Sequence, residues 1–171
     1  MRAKTCVFFG KIFQWIFESK INKKTAILRA LIAVILWYFL INALSMLTDS
    51  LGVSGLNKLQ KSDSGLFFAT FILIAPFFEN LVCIFIFLIL SHFFKFKIST
   101  NLICLLVAVI FVWLHSPNYY HMLSAFGVFF IISKLYSQWR EIDKSFAYWS
   151  GFSVHVLFNM PAALYFAFLK N

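Results

Sequence analysis

The sequence predicts an all-α integral membrane protein: a bundle of about five transmembrane helices preceded by an N-terminal amphipathic helix. Three observations predict it. Of the 171 residues, 62% are hydrophobic, 20% are aromatic and only 12% are charged, about half the charged share of a soluble domain. The apolar residues fall in long runs, close to the ~20 residues that cross a bilayer core. Lys and Arg sit between those runs and at the N-terminus, where flanking cations meet anionic lipid headgroups. The net charge of +9 therefore indicates a lipid bilayer as partner and no nucleic acid, since no soluble face gathers the cations.

Residues 1–24 repeat Phe9, Ile12, Phe13, Ile16 and Phe17 at helical spacing, with Lys11, Gln14 and Glu18 on the other face. That pattern reads as an amphipathic helix on the cytoplasmic membrane surface. Lys11 interrupts the apolar stretch and no small-x-small site follows, which argues against a signal peptide. Residues 27–47 form the first transmembrane candidate, and 48–65 a polar loop. Residues 66–92 are one apolar stretch that would span about 40 Å as a straight helix, with a break or kink expected near Pro76. After Lys95-Phe96-Lys97 come a third run, 99–115, the turn Ser116-Pro117-Asn118, and a fourth run, 119–136, containing Gly127. The charged stretch 137–147 reads as a loop, and 148–169 as the last span.

Five spans with the N-terminus inside place residues 1–29, 93–98 and 134–147 in the cytoplasm, with twelve of the fifteen basic residues. The expected orientation is N-in, C-out in a plasma (inner) membrane. Trp139, Tyr148 and Trp149 suit one interface and Trp113, Tyr119 and Tyr120 the other, whereas Trp37 and Tyr38 fall mid-span. Cys6, Cys83 and Cys104 fit no metal or disulfide spacing and read as small buried hydrophobes.

Glu79 is the one acidic residue inside an apolar run. Placing a carboxylate at bilayer depth costs about 2.5–3.5 kcal/mol on insertion scales, and such groups are as a rule functional. His115 ends the third run. His155 lies in the last, with Asn159 four residues on and on the same helical face. Convergence of these four side chains would lower the cost of each through mutual hydrogen bonding. A poorly hydrated carboxylate beside an imidazole can hold and activate water. An amide and a second imidazole can donate to a developing oxyanion. The set is hydrolytic in character, with an amide bond as its natural target. Zinc held by Glu79, His115 and His155 is the competing account.

At these residues the chain resembles the CAAX-processing and bacteriocin-processing (CPBP, or ABI) family of intramembrane proteases, relatives of the type II CAAX prenyl endopeptidases. The family's EExxxR motif, just after a proline, has its counterpart in Pro76-Phe77-Phe78-Glu79-Asn80-Leu81-Val82-Cys83-Ile84. FxxxH is matched by Phe111-Val112-Trp113-Leu114-His115, and HxxxN by His155-Val156-Leu157-Phe158-Asn159. The resemblance covers residues 65–168, a core of about four transmembrane helices. It implies a membrane-associated peptide or protein substrate in a bacterial setting, with Glu79 and His115 activating water and His155 and Asn159 stabilising the oxyanion. No cofactor is expected, with zinc as the alternative. Asn80 and Ile84 depart from the motif's second glutamate and its arginine. Losing both strands no charge, which fits a retained catalytic set and fits equally a member acting as an immunity or regulatory protein that no longer cuts. His92 and His121 read as bystanders, and Ser116, Ser145 and Ser153 have no base pattern nearby.

Overall fold

The computed structural model describes residues 22–50, 69–94, 98–114 and 119–164. The expected amphipathic helix lies outside the described residues except for 22–24. So do most of the loop 48–65, the turn 116–118 and the last residues of the expected final span. Every regular element among the described residues is helical. In chain order these are α1 (Lys23–Ser50), a π-helical turn (Thr70–Ile74) running directly into α2 (Ala75–Phe93), α3 (Thr100–Leu114), α4 (Tyr119–Trp139) and α5 (Lys144–Leu164).

Local chemistry sets the helix starts. Asn22 accepts the Thr25 N–H at 2.9 Å, Ser99 Oγ accepts the Leu102 N–H at 3.3 Å, and Asp143 Oδ1 accepts the Phe146 N–H at 2.9 Å. Each is a small polar side chain at the N-cap satisfying an amide of the first turn. The Asp143 cap shrinks the expected 137–147 loop: α4 runs on to Trp139 and α5 begins at Lys144. Lys23 at the start of α1 hydrogen-bonds the same carboxylate and lies 5.2 Å over the Phe146 ring. The Lys23 ammonium, then the Phe146 amide, hold the Asp143 carboxyl below its usual range. The starts of α1 and α5 are thereby pinned together.

Two helical stretches, Lys23–Ala43 and Thr70–Phe93, are long and apolar enough to cross a membrane, and Thr100–Leu114 is a shorter apolar helix. α4 carries Gly127, Ser133 and Lys134 and falls short of that test for a packing reason. It is the hub of the bundle, touching α1, α2, α3 and α5. Its Val128, Phe129, Ile132 and Leu135 are buried against Cys83 and Phe87 of α2 and Cys104 and Val107 of α3. A helix surrounded by protein need not be apolar all round. The peripheral helices instead turn Leu28, Phe39, Phe85 and Trp113 outward.

Candidate functional site

Pro76 shapes the first part of the site. Its nitrogen has no hydrogen, and its ring crowds the carbonyl four residues back. The preceding turn widens to π register, with the Ala75 N–H bonding Thr70 O. In that register the donor for Phe71 O would be Pro76 itself, which cannot supply one. Asn159 Nδ2, from α5, donates to Phe71 O at 3.1 Å. The kink expected near Pro76 is therefore a change of helical register, a form that recurs at functional sites.

One turn of α5 earlier, His155 Nε2 lies 3.3 Å from Glu79 Oε2 of α2. The imidazole is buried, while the carboxylate side chain is 33% exposed. The acid thus sits at the mouth of the contact and the ring behind it. Phe129 of α4 sets its edge against the His155 ring, with centroids 5.2 Å apart and planes at 84°. Phe111 of α3 stacks on Phe129 at 3.8 Å. The phenylalanine of the FxxxH segment thus backs the histidine of the HxxxN segment through one intervening ring.

One turn earlier again, Gly151 faces Asn80, whose side chain is completely buried. Asn80 occupies the position of the motif's second glutamate. Ile84, in the arginine's position, packs against the core. Gly151, His155 and Asn159, at i, i+4 and i+8, meet Asn80, Glu79 and the Phe71 carbonyl in turn, forming a polar seam along the α2–α5 contact.

The structure brings Glu79 and His155 together and places Asn159 one turn away, tied to the π turn. His115 lies outside the described residues. Of the bystanders, His92 is exposed at the end of α2. Phe129 and Gly151 are missing from the motif reading. Gly151 could have been found by extending HxxxN one turn back, which reads GxxxHxxxN. Phe129 carries no sequence mark, because only the packing of α4 selects it among 24 phenylalanines.

A carboxylate oxygen 3.3 Å from an imidazole nitrogen can share a proton with it, and the exposed carboxylate can hold a water on its open side. Two ligand atoms at ~2.0–2.1 Å from one tetrahedral zinc also lie about 3.3 Å apart, so Glu79 and His155 fit two corners of such a site as well. Comparison with models of known families, with curated proteins and with solved structures finds no match to this chain.

Proposed function

We propose that the chain is a multi-pass membrane protein of five spans and an intramembrane endopeptidase of the CPBP type, acting on a membrane-associated peptide or protein. The observation that carries this reading is the Glu79–His155 contact at 3.3 Å, continued by Asn159 on the same stripe. Acid and imidazole come from separate apolar helices, and the exposure of Glu79 leaves the acid open to a substrate arriving from the side.

In this mechanism Glu79 takes a proton from water as the oxygen attacks the peptide carbonyl carbon. The carbonyl oxygen gains negative charge and is met by N–H donors. Asn159 has one amide hydrogen on Phe71 O and a second left to give. His155 orients the Glu79 carboxylate, and its N–H stabilises the charge that develops beside it. The proton on Glu79 then passes to the leaving amine, so the carboxylate is regenerated. His115 completes the water-holding pair by the motif resemblance. If zinc is bound, Glu79, His155 and His115 would hold it, and it would supply Lewis-acid polarisation of the carbonyl and the water.

The test compares cells expressing the wild type, Glu79→Gln and His155→Ala. Membrane peptides bearing new termini are counted by mass spectrometry, and membrane abundance is measured in parallel. The cleaved products should fall by about 10²–10⁴-fold in both variants at unchanged abundance. Identical products from wild type and Glu79→Gln would reject the peptidase. The replacement of the motif's Glu and Arg by Asn80 and Ile84 favours one alternative, a scaffold that binds without cutting, and such a scaffold should tolerate Glu79→Gln. Metal analysis of the purified protein separates the water and zinc accounts.

A further inference from the structure

His155 meets Glu79 through Nε2 at 3.3 Å, and it meets Phe129 of α4 across its ring, with centroids 5.2 Å apart and planes at 84°. The mechanism uses the first contact and leaves the second without a task. The outer torsion of a histidine side chain is broad and two-fold, with no staggered wells of its own. Neighbours therefore decide how the ring stands. A half turn about the Cβ–Cγ bond exchanges Nε2 for Cε1, and a carbon then faces the Glu79 carboxylate. To make that half turn the imidazole must pass edge-on to Phe129. Two edges would then meet at a spacing that suits an edge and a face. Glu79 selects which way round the imidazole stands, and Phe129 resists its turning.

Phe129 is itself held. Phe111 of α3 lies over it with centroids 3.8 Å apart and planes at 22°, closer than the ~4.5–7 Å usual for aromatic pairs. Phe111 and Phe129 are 2% and 1% exposed, so neither ring has open space to tilt into. Three helices thus contribute one column of rings that ends on the imidazole. Aliphatic side chains could fill the same volume, but they present no flat ring set across the plane of another.

We propose that Phe129, held by Phe111, is a positioning residue that fixes the plane of the His155 ring and so keeps Nε2 on Glu79. The holding of the ring stands on the packing alone. Its consequence for turnover rests on the peptidase reading, so the two are measured separately.

The first experiment is nuclear magnetic resonance of the full chain in lipid nanodiscs, isotope-labelled at the histidine nitrogens and held at one pH. The His155 signals are those missing from His155→Ala. The wild type should give one sharp set. Phe129→Met puts a flexible apolar side chain that fills irregular core space in place of the flat ring, and it should broaden or double the His155 signals. Phe87→Met is the control, since Phe87 is also 1% exposed but sets its ring against Tyr136. It should leave the His155 signals as in the wild type. Unchanged signals in Phe129→Met, or equal broadening in Phe87→Met, overturn the proposal whether or not the protein cuts peptides. If Phe129→Met fails to accumulate, Phe111→Met decides in its place. It removes the stack and leaves Phe129, so it should broaden the same signals, and unchanged signals overturn the proposal. The second experiment counts cleaved membrane peptides. Phe129→Met should lower them by about tenfold or more, the scale of a misplaced reacting group, at unchanged membrane abundance, while Phe87→Met should not. Full cleavage by a Phe129→Met protein whose imidazole turns freely overturns the positioning role and leaves the peptidase intact. Absence of cleavage in the wild type overturns the peptidase and the positioning role together and leaves the held ring standing.

Discussion

A Cβ at Gly127 would lie 2.0 Å from Trp37 Nε1, so the α4 glycine exists to admit the α1 indole. That contact accounts for a residue that the sequence marks only as an anomaly. Trp37 lies in the middle of α1, where it packs against Gly127 of α4. Its position was legible but its partner was not, since a glycine far along the chain carries no sign of what fills its notch. Gly127→Ala should cost about 1–3 kcal/mol, the usual penalty for overpacking a filled site. It would be read as a lower melting temperature in detergent. Trp37→Leu in the same chain should recover most of the loss. If the two costs simply add, the notch is not what Gly127 provides.

At the scale of the element, the motif residues were legible because polar groups stand out in an apolar helix. Glu79, His155 and Asn159 could be picked out from the sequence, and the i, i+4 spacing put the last two on one stripe. What spacing could not supply is the division of labour along that stripe. Glu79 meets His155, while Asn159 is spent in part on Phe71 O, a carbonyl that becomes an acceptor for α5 only because Pro76 forces a π turn. Proline was expected to bend the helix, but the change of register depends on how the freed groups are re-satisfied, and α5 does that. Asn159→Ala should therefore cost about 1 kcal/mol of stability in the wild type, the worth of one hydrogen bond. It should cost clearly less in a Pro76→Ala background, where the turn can return to α register and draw the Phe71 carbonyl back into its own helix. Thermal denaturation of the four proteins of this cycle measures the coupling. Equal costs in both backgrounds would show that the proline does not present that carbonyl.

At the scale of the whole molecule, helicity was legible from composition and run length alone, while the ends of the last two helices were not. The stretch 137–147 looks like a loop because it is charged. Instead Asp143 caps α5 and binds Lys23, and the charged residues gather in and beside the short turn 140–143 that joins α4 to α5. The same contact bears on topology. It places the starts of α1 and α5 at one end of the bundle, and Lys23, Lys24, Arg140 and Lys144 all belong to segments that meet there. With the membrane reading proposed above, the positive-inside bias makes this end cytoplasmic and sends the C-terminal end of α5 to the other side. A reporter active only outside the cytoplasm, fused after the last residue, should therefore be active. The same reporter inserted between Arg140 and Asp143 should be silent, and a cytoplasmic reporter should give the reverse pattern. Lys23 and Asp143 exchanged for one another should keep the pattern, since the pair survives and the local charge is unchanged. Replacing Lys23, Lys24, Arg140 and Lys144 together with Gln should weaken it, producing a mixture of orientations. Activity of the outside reporter at both positions in the unaltered chain would mean that α5 does not cross. The Glu79–His155 contact would then join a helix that crosses to one that does not, and the five-span reading would fall.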